Sequence, residues 1–386
     1  MISSRFDRED SMTTNRERTR VLVVLGTRPE AIKMAPVVLA LRRDPGFEPV
    51  IAVTAQHREL LDEVLELFSI TPDYDLDLME HGQSLTQVNC RVLAGIGAIL
   101  DERAFDALLV HGDTTTTFAA ALAGFYHEVP VGHVEAGMRS HSMQHPFPEE
   151  ANRSLTARLT QWNFPPSRTC EQNLHDEGIC SDRVFRTPHN TVIDALRVVA
   201  GMPYEFPPGR IADALASGRR LILVTAHRRE SWGAPMEDMF SAIARVASEH
   251  GDTHFLVAAH PNPVVTRAAH HILGDVDRVD LIGPQAYLPF VKLMSRADLI
   301  LSDSGGLQEE GPALGVPVMV LREVTEYPEL VERGAVAVIG TSAPGIVRAV
   351  NEVLGDPDRY AAMRSACVDV GAEESTSVIL EALRSG

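Results

Sequence analysis

From residue 21 onward the chain alternates short, uniformly apolar runs with longer stretches of helical period, and it does this in two series. The first series has its apolar runs at 21–25, 50–54, 107–110, 129–134 and 184–187. The second follows the Pro- and Gly-rich stretch 201–209, with runs at 221–225, 255–258, 279–282, 299–301, 317–321 and 336–339. A strand that is apolar on both faces needs cover on both faces, which a parallel sheet between two helix layers provides. The pattern therefore predicts an α/β protein of two Rossmann-like domains facing a central cleft. The expected divisions are a disordered tail over 1–20, a first domain over 21–190, a second over 191–368 and a C-terminal helical segment over 369–386. A length of 386 residues suits that division and contains no short repeat that would suggest a solenoid.

Composition narrows the function classes. There are 53 acidic against 35 basic residues, a formal charge of -18, which disfavours non-specific binding to nucleic acid or to an anionic membrane surface. No apolar run is long enough to span a bilayer, and the arginine-rich first residues lack the apolar stretch of a secretory signal, so a cytoplasmic protein is expected. Cys90, Cys170, Cys180 and Cys367 are widely separated, which supports neither a disulfide framework nor a thiolate metal site. The histidines show no HExxH spacing, so no metal is expected either.

In an open parallel sheet, ligands bind beyond the carboxyl ends of the strands. The polar clusters fall there. Gly26-Thr27-Arg28 follows the first run, and Thr27 with Glu30 forms a capping-box pattern with Pro29 in the first turn. That pattern explains the helix start but not the cations Arg28 and Lys33 beside it. Asp113, Glu135 and Glu149 also stand at strand or helix ends, and carboxylates in unlike surroundings can divide acid from base work. In the second series, Ser304-Gly305-Gly306 reads as a tight turn into a helix whose free amides suit a diphosphate, with Glu309 one turn on to accept from ribose hydroxyls. His227, Arg228 and Arg229 follow another strand of the same series. GxGxxG and the Walker pattern are absent from the first strand-to-helix junction, so dinucleotide binding and triphosphate hydrolysis lose their usual warrant.

Six segments in order carry a resemblance to the bacterial non-hydrolysing UDP-N-acetylglucosamine 2-epimerase family. They are Gly26-Thr27-Arg28-Pro29-Glu30-Ala31-Ile32-Lys33, His111-Gly112-Asp113-Thr114, Gly132-His133-Val134-Glu135-Ala136-Gly137, Phe147-Pro148-Glu149-Glu150-Ala151-Asn152-Arg153, His227-Arg228-Arg229-Glu230 and Asp303-Ser304-Gly305-Gly306-Leu307-Gln308-Glu309-Glu310. The resemblance implies a GT-B-like fold, a homodimer and a reaction that needs no cofactor: UDP is eliminated to give 2-acetamidoglucal and then re-added. It assigns Asp113, Glu135 and Glu149 to acid/base work and leaves open which acts on which face of the sugar. Arg28, Lys33 and His227 would hold the diphosphate and its departing charge. Ser304, Gly305, Gly306, Glu309 and Arg228 would bind UDP. Gln56, His57 and Arg91 match positions where a second UDP-N-acetylglucosamine activates family members.

The chain departs from the family pattern at Thr187-Pro188-His189-Asn190-Thr191, at Tyr327 in place of an arginine, at Ala258-Ala259-His260 and at Ala226. These changes leave open altered substrate choice, as in an epimerase for a related UDP-sugar, weaker allosteric control, or hydrolysis releasing N-acetylmannosamine and UDP. A glycosyltransferase on the same scaffold and a UDP-sugar sensor without turnover are competing readings, which the acids at three loop ends disfavour.

Overall fold

A computed structural model describes residues 18–54, 58–78, 82–226, 228, 232–259, 262–325, 327–367 and 373–385. The chain divides into two compact units. Among the described residues, the first comprises those up to Leu65, those within Ser69–Arg186 and those from Thr376 onward; the second comprises Glu66–Phe68 and those within Thr187–Ser375.

The first unit contains strands β1 (Thr19–Leu25), β2 (Phe47–Val53), β3 (Tyr74–Asp75), β4 (Ala107–His111), β5 (Val131–Val134) and β6 (Trp162–Phe164). They form one parallel sheet in the order β3-β2-β1-β4-β5-β6. The second unit contains β7 (Arg220–Ala226), β8 (Thr253–Ala259), β9 (Val279–Ile282), β10 (Leu299–Ser302), β11 (Val318–Val320) and β12 (Val336–Val338), in the order β12-β11-β10-β7-β8-β9. Read from its own first strand, the second sheet has the same order as the first, 3-2-1-4-5-6, which is the Rossmann arrangement. The expectation of two Rossmann-like α/β domains is borne out. In each sheet the order reverses between the first and fourth strands, β1 and β4 in one unit and β7 and β10 in the other. This switch point is where such sheets bind ligands.

Helices on both faces supply the cover that apolar strands need. Within the first unit these are α1 (Arg28–Arg43), α2 (Arg58–Leu67), α3 (Leu85–Glu102), α4 (Thr115–Tyr126), α5 (Glu149–Leu159) and α6 (Arg168–Asp176). Val21, Leu22, Val23 and Leu25 of β1 are fully buried, and Leu22, Leu108, Val110, Ile96 and Ala120 share one core cluster. Capping is explicit in the sequence: α1 starts on Thr27 with the Glu30 return, and α3 starts on Ser84 with Gln87. The last helix, Ser375–Ser385, ends in the first unit, where Arg384 pairs with Asp44 and lies over the Phe47 ring.

Some details differ from the sequence reading. Thr19 and Arg20 belong to β1 and not to a tail, with Arg20 bonded to Glu48 and Asp106. The run 184–187 is not a strand: Val184 makes one isolated bridge to Asn163, after which Pro188 has no amide to donate. The apolar runs predict neither β3, which is only two residues long, nor β6, whose Trp162 and Phe164 are buried. At the departure from the family pattern, His189 is buried. Its ring nitrogens meet the carbonyls of Asn190 at 3.0 Å and Glu373 at 3.0 Å.

Candidate active site

The first unit assembles its charged residues at the switch point through two turns. Beyond β1, Gly26 must lack a side chain because a Cβ there would sit 2.7 Å from Thr116 Oγ1. Beyond β4, Gly112 takes a left-handed φ of 68°, natural for glycine, and turns the chain so that Asp113 follows. Three bonds hold that second turn. Gly112 donates its amide to the Val134 carbonyl at 3.0 Å, the His133 ring donates Nε2 to the Gly112 carbonyl at 2.7 Å, and Asn152 Nδ2 donates to the Asp113 carbonyl at 2.9 Å.

Glu135 stands just beyond β5 and is itself left-handed, with φ 65°. For a residue with a Cβ this costs about 1–2 kcal/mol, a strain that recurs at functional positions. Its carboxylate pairs with Lys33 of α1, and His111 Nε2 stands 3.6 Å away. Burial alone would raise its carboxyl, but the Lys33 ammonium and the His111 ring outweigh burial and hold it well below the usual carboxylate range. Asp113 behaves in the opposite sense. Burial raises it and Arg153, 3.6 Å away, draws it back, while the charges of Glu135 and Glu149 add to the rise. Two neighbouring carboxyls are thus driven apart, one held ionised and the other made easier to protonate.

The elements around this pair are as firmly bound as the pair itself. Glu150, buried at the start of α5, accepts from the amides of Ser140 at 3.0 Å and His141 at 2.9 Å and pairs with Arg153 at 3.2 Å. Glu149, half-buried beside it, is near enough for its charge to add to the rise at Asp113. His133 is fully buried, and burial is the main cause that lowers its pKa to about 4, so it is neutral and can donate to Gly112 only through the Nε2–H tautomer.

The second unit builds its turn differently. Thr225 of β7 and Ser302 of β10 share a hydroxyl bond of 2.6 Å, and Ser302 Oγ accepts the Ser304 amide at 2.9 Å. Asp303, fully buried, accepts the Arg228 amide at 2.9 Å, and its carbonyl accepts Arg228 Nε at 2.8 Å. The helix Gly306–Ala313 then begins on Gly305 with no side-chain cap. Gln308 is fully buried, donates to the Ser304 carbonyl at 3.2 Å and accepts from Thr325. Ser304, Gly305 and Glu309 are half-buried around this start, and Gly306 is exposed.

Of the residues singled out by sequence, Lys33, Asp113, Glu135 and Glu149 are brought together in the first unit. Arg28 opens α1, and its Nε is buried without a hydrogen-bond partner among the described residues. Ser304, Gly305, Gly306, Glu309 and Arg228 meet at one turn of the second. Arg91 lies on α3 and donates to the Leu78 carbonyl at 3.1 Å. His227, Gln56 and His57 lie outside the described residues. His111 at the end of β4 and His133 within β5 are both buried, because the period of these strands carries them in with their apolar neighbours. Asn152 and Arg153 have no role in the sequence reading beyond the segment that carries the resemblance; their i, i+3 and i, i+4 spacing from Glu149 is the available signal. Among the described residues, no group of three or more metal-ligating side chains stands together, and no helix is long and apolar enough to cross a membrane.

The family model that matches, over residues 39–384, is described as UDP-N-acetylglucosamine 2-epimerase. The chain is 50% identical over 372 residues to the UDP-N-acetylglucosamine 2-epimerase of Escherichia coli K12, covering 95% of this chain and 98% of that protein. Among solved structures, the Neisseria meningitidis UDP-GlcNAc 2-epimerase bound to UDP-GlcNAc superposes with a TM-score of 0.81 at 42% identity, covering 95% of this chain and 100% of the other. The Methanocaldococcus jannaschii enzyme in complex with UDP-GlcNAc and UDP gives 0.74 at 29% identity, covering 95% and 100%.

Proposed function

This chain belongs to the UDP-N-acetylglucosamine 2-epimerase family, and from that membership we propose that it interconverts UDP-N-acetylglucosamine and UDP-N-acetylmannosamine without releasing free sugar. The observation that carries the reading is the split between Asp113 and Glu135, neighbours whose surroundings push their proton affinities in opposite directions. One group takes the C2 proton while the C1–O bond breaks and its electron pair leaves on the β-phosphate oxygen of UDP. The C–H pair becomes the C1–C2 double bond of 2-acetamidoglucal. Return of UDP to C1 with protonation of C2 on the other face completes the epimerisation. Acid/base work falls to Asp113, Glu135 and Glu149. Lys33, already paired with Glu135, serves chiefly to keep that carboxylate charged, and Arg28 and His227 offset the charge that builds on the leaving diphosphate.

In this reading the second unit binds UDP through Ser304, Gly305, Gly306 and Glu309, with Arg228 oriented by Asp303. Gln56, His57 and Arg91 form the place for an activating second UDP-N-acetylglucosamine, and the working form is a homodimer in the cytoplasm. The decisive experiment follows the sugar protons by NMR after purified protein meets UDP-N-acetylglucosamine in deuterated water. UDP-N-acetylmannosamine carrying deuterium at C2 is the expected product. Free N-acetylmannosamine with UDP would instead establish a hydrolase, and bound but unchanged substrate a sensor.

A further inference from the structure

Glu30 does more than close a capping box. A capping glutamate at the third helical position needs only to reach the amide of the cap residue. Here Oε2 accepts from two successive amides, Gly26 at 2.5 Å and Thr27 at 2.8 Å, and Oε1 accepts from the Thr114 hydroxyl at 2.6 Å. Thr114 follows Asp113 directly and is the residue that caps α4. Its hydroxyl is fully used, donating to Glu30 and accepting the Thr117 amide at 3.1 Å. The Thr117 hydroxyl lies 3.4 Å from the same Oε1 and donates to the His111 carbonyl at 2.5 Å. Only 3% of Glu30 is exposed, unlike a surface cap.

We propose that Glu30 is a positioning residue of this site: its buried carboxylate fills the anion position at the start of α1 and fastens the turn bearing Arg28 and Lys33 to the turn bearing Asp113. The first strand-to-helix amides of a Rossmann unit commonly receive a phosphate. In this unit an internal carboxylate takes them, so a nucleotide phosphate cannot use the Gly26 and Thr27 amides while Glu30 does. The anion site has become a clamp. Because Lys33 sits three residues beyond Glu30 on α1 and Asp113 immediately precedes Thr114, loosening the clamp moves the Lys33–Glu135 pair relative to Asp113. The inference rests on the epimerase reading for its kinetic consequence but not for its structural one.

The test is chemical rescue. Glu30→Ala is expected to lower kcat about a hundredfold, the cost of misplacing reacting groups by about an ångström. Sodium formate, a carboxylate small enough for the vacated space, is expected to restore at least about tenfold of that loss with saturation, and sodium chloride at equal ionic strength nothing. The Gly26 and Thr27 amide NMR signals of the variant should shift with formate at the same half-saturation. Should Glu30→Ala fail to fold, Glu30→Gln retains one oxygen for the two amides; it should lower kcat with KM changed less than about twofold. A kcat like that of the wild type in a folded variant overturns the proposal, as does formate that moves the amide signals without restoring turnover. If the wild type itself neither turns over nor exchanges the C2 hydrogen, the functional reading fails. The clamp is then judged by the Asp113 and Thr114 amide signals: they must move in the variant and return with formate, and unmoved signals overturn it.

Discussion

The two units share one strand order and equip the same switch point in opposite ways. Beyond β1 and β4 the first unit concentrates buried and half-buried charge: Lys33 pairs with Glu135, His111 stands beside them, Arg153 pairs with Asp113, and Glu30 and Glu150 are sunk among backbone amides. At the ends of β7 and β10 the second unit has one buried carboxylate, Asp303, bonded to the Arg228 amide, beside the hydroxyls of Thr225 and Ser302, and the following helix starts on Gly305 without a side-chain cap. The two helix starts differ in what stands against them: a glutamate carboxylate on the Gly26 and Thr27 amides in one, a serine hydroxyl on the Ser304 amide and a glycine at the cap in the other. Where a side-chain carboxylate fills the amides, the turn can only hold its neighbours in place; where they are open, a ligand anion can enter. The contrast supports proton transfer in the first unit and nucleotide binding in the second.

Removing the charge of Asp113 is the strongest way to break that division. Asp113→Asn should lower turnover about a thousandfold and leave UDP affinity, read by calorimetric titration, within about twofold. Lost UDP binding in this variant would undo the division of labour. Next is Lys33→Met, expected to cost about a hundredfold in kcat/KM near neutral pH. It also has a directional signature. Lys33 is a main cause of the depressed Glu135 carboxyl, so without it that carboxyl titrates higher and the acid limb of the pH–rate profile moves to higher pH. An unmoved limb would remove Glu135 from the titrating group.

Ser304→Ala should act in the converse sense, weakening UDP about tenfold, the order of one hydrogen bond to a charged group, with a smaller effect on C2 exchange at saturation. The mildest effect concerns stability. His133 titrates near 4 when folded, below its unfolded value of about 6.5, so its contribution is present above the unfolded value and is lost as pH falls towards 4. Stability measured by denaturant unfolding should therefore fall from pH 7 to pH 4. His133→Gln should flatten that slope by up to about one proton.

Much of this was legible in the chain. Apolar runs flanked by helical periods implied parallel sheets, and Thr27 with Glu30 marked the start of α1 at the residue where it begins. The candidates Asp113, Glu135, Ser304 and Gly305 were placed correctly beyond strand ends, because such ends are where polar residues interrupt apolar runs. Other features were hidden. Glu30 carries the same letters whether it caps a surface helix or joins two turns, and the difference lies in Thr114, 84 residues away. His111 and His133 stand at strand ends in the sequence, but that both are buried follows only from pairing with neighbouring strands. The strand expected at 184–187 failed because an edge position offered it a single partner, Asn163.

By itself, then, the sequence determined the two α/β units, their helix starts and which residue types stand at the strand ends, since periodicity and capping are local and need only near neighbours in the chain. Only the tertiary structure decided which carboxyl is held below its ordinary range and which is raised above it. Proton affinity depends on burial and on charges brought close by folding: Lys33 reaches Glu135 across 102 positions, and Arg153 reaches Asp113 from another helix.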